Sequence, residues 1–299
     1  MSQKDVNACQ KQWIDSCEED FRRQLNRVAE EVLLQKDLKF IRLTGPTCSG
    51  KTTAARLLIR RLAESGRNVH LISIDDFYFD KEILAELSRR RGLTVPDYDS
   101  EDTIDLEALS AFIESCVASG DVRCPVFDFK TGKRSGYRPI SCEKDDCFIM
   151  EGIQVLYPKI GALLERYPSI GVYIAPKSAI VEGTRQFSPN EIRLLRRLVR
   201  DYTFRETMPE QTLVMWDGVR ENEEKNIFPY IAACALHIDS TMAYEIGVLK
   251  PHLDRILPTV PKESPYRRQT EEILESIKTV VPISDRYIGE ESLYKEFIE

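Results

Sequence analysis

Phe40-Ile41-Arg42-Leu43-Thr44-Gly45-Pro46-Thr47-Cys48-Ser49-Gly50-Lys51-Thr52-Thr53 is the stretch from which the rest of the chain is read. Phe40 to Thr44 has the apolar make-up of a short buried strand, and residues 45–52 fit the pattern GxxxxGK followed by Ser or Thr in full. Glycines let such a turn fold tightly enough for its N–H groups to surround a phosphate. From Lys51 to Glu64 the apolar positions keep helical spacing, and Gly66 stands where a C-terminal glycine stop belongs. The turn therefore delivers its anion to a helix N-terminus, which carries about half a unit of positive charge. In this pattern Lys51 reaches the outer phosphates and the Thr52 hydroxyl is placed to ligate Mg²⁺. Gly45, Thr47, Cys48, Ser49, Gly50 and Thr53 complete the expected phosphate contacts. The guanine-reading motif NKxD does not occur, which weighs against a GTPase.

Working outward, Val69 to Ile74 reads as a second strand, ending in Asp75-Asp76-Phe77-Tyr78. Open α/β sheets bind ligands beyond the carboxyl ends of their strands, so both carboxylates are expected to face the loop. Asp75 is the expected base, placed to take the proton of an attacking hydroxyl, while Asp76 is assigned to capping or solvent. Cys147-Phe148-Ile149-Met150-Glu151-Gly152 is another apolar run ending in a carboxylate, and Glu151 would share the Mg²⁺ with Thr52. Cys124 to Phe127 and Ile170 to Ile174 are further strand candidates, and a helix opens at Asp105 and closes at Gly120. Strands alternating with helices over 38–240 predict a doubly wound parallel sheet. An amphipathic helix over Asp15 to Gln35 precedes it, and a helical pattern from about 244 follows, with Tyr266 to Val280 its clearest segment. The expected division is a helical extension (1–37), a phosphate-loop domain (38–245) and a helical extension packed on it (246–299).

Arg193, Arg196, Arg197 and Arg200 share one helix face, with Leu194, Leu195, Leu198 and Tyr202 expected to pack inward on another. Four like charges on one face call for an anion, and guanidinium suits a phosphoryl group. The bland alternative pairs them with acids such as Glu221, Glu223 and Glu224. Overall the 299 residues are acidic, with 42 Lys and Arg against 49 Asp and Glu, a net charge of −7. That excludes a general binder of nucleic acid or anionic membrane, so positive charge must be local. The first thirty residues lack the apolar stretch of a signal peptide, and no run reaches membrane-spanning length, so a cytoplasmic location is expected. Eight scattered cysteines and three separated histidines suggest neither a zinc site nor a histidine triad.

The stretches GPTCSGKTT (45–53), SIDDFYF (73–79), YDSEDTIDLEAL (98–109), PVFDFKTGKR (125–134), FIMEGI (148–153) and RLLRRLVRD (193–201), in that order, resemble the uridine kinase and phosphoribulokinase family. The segment from Trp216 to Leu257, with GVRENEEKNIFPY and STMAYEIGVLKP, is similar to a bacterial uridine kinase-like branch of it. The resemblance implies a nucleotide-kinase-like P-loop NTPase fold with an arginine-bearing helical lid. It implies ATP, or alternatively GTP, as phosphoryl donor, with Mg²⁺ as cofactor. Asp75, Lys51, Arg193 and Arg196 would be catalytic, and Arg197 would join the loop at the nucleotide. Tyr78, Asp99, Phe127, Phe129 and Arg134 would line the acceptor pocket. The implied partner is a small-molecule acceptor, a nucleoside such as uridine or cytidine, and a homo-oligomer is left open.

Two positions depart from the pyrimidine-reading pattern: Phe127 replaces a tyrosine and Gly132 a histidine. Lys130, Lys133, Arg134 or Tyr137 in the same turn could substitute, or could meet an acceptor that already bears a phosphate. A sugar phosphate or other small alcohol is thus the second expectation. A nucleotide-binding regulatory module without acceptor chemistry is the third.

Overall fold

The structure is a computed structural model that describes residues 3–90, 92 and 100–298. Its strands begin with β1 (Phe40–Thr44), β2 (Val69–Ser73), β3 (Gly120–Asp128), β4 (Lys133–Cys142) and β5 (Cys147–Glu151). They continue with β6 (Ser169–Ala175), β7 (Ile180–Glu182), β8 (Arg185–Phe187) and β9 (Leu236–Asp239). The first five helices are α1 (Gln3–Leu34), α2 (Lys51–Glu64), α3 (Lys81–Arg90), α4 (Leu106–Ala118) and α5 (Pro158–Leu164). The later ones are α6 (Pro189–Arg205), α7 (Pro209–Asn226), α8 (Glu245–Ile256), α9 (Arg267–Ile277) and the short α10 (Lys295–Ile298).

A parallel sheet in the order β2-β5-β1-β6-β9 forms the centre. All five residues of β1 are buried, as a strand covered by helices on both faces requires. Side chains alternate between those faces. Ile41, Leu43, Ile149, Val172 and Ile174 join one apolar cluster, with α1, α2, α6 and α8. Phe40, Ile72, Phe148, Met150 and Tyr173 join the other, with α4, α5 and the β3–β4 pair. The chain leaves β1 for β2 on one side and returns to β6 on the other, so β1 borders the switch point where open α/β sheets hold ligands.

The doubly wound parallel sheet is as the sequence predicts, and β1 and α2 have the predicted bounds. The differences lie at elements whose partners are set by tertiary contact. The strand predicted over Cys124 to Phe127 is not in the parallel sheet. It is part of β3, which pairs antiparallel with β4 to form a separate hairpin. Periodicity identifies an extended run, but a glycine-bearing turn at 129–132 decides that it folds back on its neighbour. Among the described residues no helix is long and apolar enough to cross a membrane.

Candidate functional site

Gly45 begins the loop where a side chain is sterically barred: a Cβ would lie 2.0 Å from the Ile174 carbonyl oxygen of β6. Cys48 and Gly50 both have positive φ, 57° and 87°, which turns the loop back toward α2. Gly50 offers α2 no side-chain cap, so the first-turn N–H groups face the loop without that competitor. Ser49 is fully buried, and its hydroxyl has no hydrogen-bond partner among the described residues. An orphaned buried hydroxyl just before a helix N-terminus is the fit expected of an anion site. Lys51 Nζ lies over the same loop, donating to the carbonyls of Gly45 (2.8 Å) and Pro46 (3.0 Å). Gly45→Ala should therefore cost about 1–3 kcal/mol in stability and weaken nucleotide binding at least tenfold. Chemical denaturation and a nucleotide titration check both, and a wild-type affinity would contradict the steric argument.

Strand register brings the acids to this loop. Leu43 and Ser73 both pair with Glu151, so β1, β5 and β2 end in line. Asp75 follows two residues beyond Ser73, in a short 3-10 turn over Ile74–Phe77, and Gly45 two residues beyond Leu43. Removal from water pushes the Glu151 carboxyl up to about 7; Lys51 opposes the rise, and Asp75, Glu296 and Asp76 add to it. The four carboxylates and Lys51 thus share one electrostatic neighbourhood. Asp76, expected to cap a helix or face solvent, is instead half-buried against the hairpin. Its Oδ1 accepts from the Phe127 N–H (3.2 Å), tying the hairpin to the acidic turn. Burial raises its carboxyl from the ordinary value, an effect partly offset by that hydrogen bond and by Arg138.

This tether assembles an aromatic wall. Tyr78 stands 5.5 Å from Phe127 and 6.0 Å from Phe129, ring centre to ring centre. Tyr78 and Phe127 are buried, whereas Phe129 is 63% exposed. Gln154, which the sequence reading missed, donates to the Tyr78 hydroxyl at 2.7 Å. Gly132 docks on the start of α3: its carbonyl accepts from Lys81 N (2.7 Å), and a Cβ would lie 2.9 Å from Lys81 Cβ. The cations of the hairpin turn have partners. Lys133 pairs with Glu82 (2.8 Å), and Arg134 with Asp105 (3.3 Å), which caps α4. Asp99 lies outside the described residues.

The arginine stripe departs from its predicted setting. Leucines and arginines of α6 are buried alike, so the helix has no free cationic face. Arg193 makes a two-pronged pair with Glu223 (2.5 and 2.7 Å) and donates to the Thr47 carbonyl (3.3 Å). Arg196 makes the same kind of pair with Glu245 (2.7 and 3.0 Å) and donates to the Cys48 carbonyl (3.2 Å). Arg197 and Arg200 both bind Asp201, at 3.1 and 2.7 Å. Burial forces this outcome, because guanidinium groups removed from water need carboxylate partners. Glu223 is among the acids the sequence suggests; Glu245 and Asp201 are not, although four arginines on one helix face are themselves a signal to look for acids. Two of the four arginines, Arg193 and Arg196, therefore reach the loop, through the carbonyl oxygens of Thr47 and Cys48.

A model of the phosphoribulokinase / uridine kinase family matches residues 40–246. Uridine kinase of Schizosaccharomyces pombe is 29% identical over 176 residues, covering 57% of this chain and 33% of that protein. Uridine kinase of Clostridium perfringens is 28% identical over 163 residues, covering 54% of this chain and 67% of the relative. Pantothenate kinase of Mesorhizobium japonicum is 31% identical over 146 residues, 45% of this chain and 44% of that one. The chain thus spans between about a third and two thirds of the length of these relatives. A solved structure of a possible uridine kinase from Bacillus stearothermophilus superposes with a TM-score of 0.47 at 16% identity, covering 74% of this chain and all of that one. D-glycerate 3-kinase from Cryptococcus neoformans does so with a TM-score of 0.46 at 14% identity, covering 73% and 87%.

Proposed function

Starting from the fact that this chain belongs to the phosphoribulokinase / uridine kinase family, we propose that it transfers a phosphoryl group from ATP to the hydroxyl of a nucleoside. The observation that carries the transfer is the alignment of three strand ends, which sets Lys51 of the loop among Asp75, Asp76 and Glu151. Loop N–H groups and Lys51 bind the donor's phosphates, and Ser49 supplies a buried hydroxyl to them. Asp75 orients the acceptor hydroxyl and takes its proton as the oxygen attacks. Thr52 and Glu151 fit Mg²⁺, since both offer oxygen and a carboxyl crowded by other carboxylates gains from a cation beside it. When bound, that ion neutralises charge on the phosphates. Arg193 and Arg196 act in this arrangement by holding the loop at Thr47 and Cys48, so that its N–H groups stay aimed inward.

The acceptor reading rests on the aromatic wall. Tyr78, Phe127 and Phe129 offer faces and edges to a planar ring, and the Asp76 tether fixes that wall beside Asp75. A phosphorylated acceptor is less well served, because Lys133 and Arg134 are already paired with Glu82 and Asp105. With Phe127 and Gly132 the pocket lacks two polar groups at the base edge, so stacking and hydroxyl recognition carry selection. ADP release measured across nucleosides, sugar phosphates and small acids tests the proposal. Nucleosides should stimulate release at least tenfold over the other classes. Stimulation by a sugar phosphate alone would overturn the acceptor reading, and none by any acceptor would overturn the transfer itself.

A further inference from the structure

The segment Gly289–Ile298 lies 243 residues beyond the loop in sequence at its closest contact, yet it covers the first turn of α2. Leu293 fills the space against Gly50 so closely that a Cβ there would sit 2.0 Å from its Cδ1. Glu296 points its carboxylate at Thr53: Oε2 accepts from the hydroxyl at 3.0 Å and from the backbone N–H at 3.4 Å. That N–H belongs to the set which the start of a helix offers to a phosphate. The segment is firmly seated, with Leu293, Tyr294 and Phe297 fully buried. Tyr294 donates its hydroxyl to Glu245, and the Arg196 guanidinium lies 5.5 Å from the Tyr294 ring and 5.2 Å from that of Phe297. A rigid support thus delivers one carboxylate to a donor of the phosphate site.

Two anions do not share Thr53 without strong repulsion. A carboxylate and a phosphate within about 4 Å repel in a site partly shielded from water. We propose that Glu296 is a built-in competitor for the phosphate-binding end of α2, which a nucleotide must displace from Thr53 in order to bind. The side chain can swing away about its own torsions while Leu293, Tyr294 and Phe297 keep the backbone in place. Glu296 then sets nucleotide affinity without entering the chemistry, and it is a positioning residue of negative sign. This inference rests on the reading of the loop as a nucleotide site.

The test is calorimetric titration of the full chain with MgADP and MgATP, comparing wild type, E296Q and E296D, together with steady-state rates. The isosteric E296Q keeps the shape and removes the charge, so affinity should tighten about tenfold, the scale of one charge-assisted hydrogen bond. The KM for ATP should fall with it while kcat changes less than about twofold. E296D, which keeps the charge on a shorter arm, should fall between the two. A merely structural role predicts the opposite sign, since loosening the segment would weaken binding. Unchanged or weaker binding by E296Q overturns the proposal. If wild type and both variants fail to bind nucleotide, the reading of the loop fails and takes the proposal with it.

Discussion

If Asp75 is the proposed base, Asp75→Asn should lower kcat by about 10²–10⁴-fold and leave the affinity for MgATP within about twofold of wild type. The split follows from where the residue stands. Asp75 stands two residues beyond Ser73, the β2 residue in register with Glu151, and belongs to the carboxylate group around Lys51. It is separated in the chain from the loop proposed to bind the donor, so an amide of the same shape should disturb that binding little. What asparagine does not do is accept a proton from an attacking hydroxyl. Single-turnover rates and a nucleotide titration on the same preparation separate the two effects. The neighbouring Asp76 is the natural control, because its carboxylate holds the Phe127 N–H (3.2 Å) and not a reacting atom. Its amide variant should act on the KM for the acceptor, through the hairpin. If Asp75→Asn turned over at the wild-type rate, the base would lie elsewhere.

How much of this site the sequence announces depends on how local its causes are. The run from Phe40 to Glu64 is legible because a buried strand, a glycine turn and an amphipathic helix are each punctuated within a few residues. Asp75 and Glu151 are legible for a related reason, as each follows the end of an apolar run in a fold that gathers strand ends. Asp76 is not, because its partner, the Phe127 N–H, comes from a hairpin 51 residues away. Neither is the engagement of Lys133 and Arg134, whose charge suggests an open cationic turn until Glu82 and Asp105 are seen beside them. The stripe on α6 is the sharpest instance. Spacing places four arginines on a common face, but spacing is silent on whether that face meets water, a ligand or Glu223, Glu245 and Asp201. Glu296 carries no local signal at all.

Glu245 is where the largest loss of stability is expected. Arg196 and Glu245 both have zero exposure and are joined by two hydrogen bonds of 2.7 and 3.0 Å. Glu245 also accepts from the Met242 N–H (2.9 Å) and from the Tyr294 hydroxyl. Glu245→Ala leaves a buried guanidinium, which stays charged, with no counter-ion and leaves two more donors without partners. Breaking such a pair from one side costs about 3–5 kcal/mol, a fall in melting temperature of roughly 6–10 °C in a chain of this size. Replacing both partners by apolar side chains of similar volume removes the stranded charge, and the double variant Arg196→Met with Glu245→Leu should regain most of that stability. It should not regain function, because the Arg196 guanidinium also holds the carbonyls of Cys48 (3.2 Å) and Ser240 (2.7 Å). Freed from that hold, the loop should sample conformations in which its N–H groups no longer converge, and nucleotide affinity is expected to fall about tenfold even in a well-folded protein. Denaturation curves and nucleotide titrations on the single and double variants separate these effects. A single variant within about 1 kcal/mol of wild type would show that the buried pair does not stabilise the fold, and a double variant with wild-type affinity would show that Arg196 does not shape the loop.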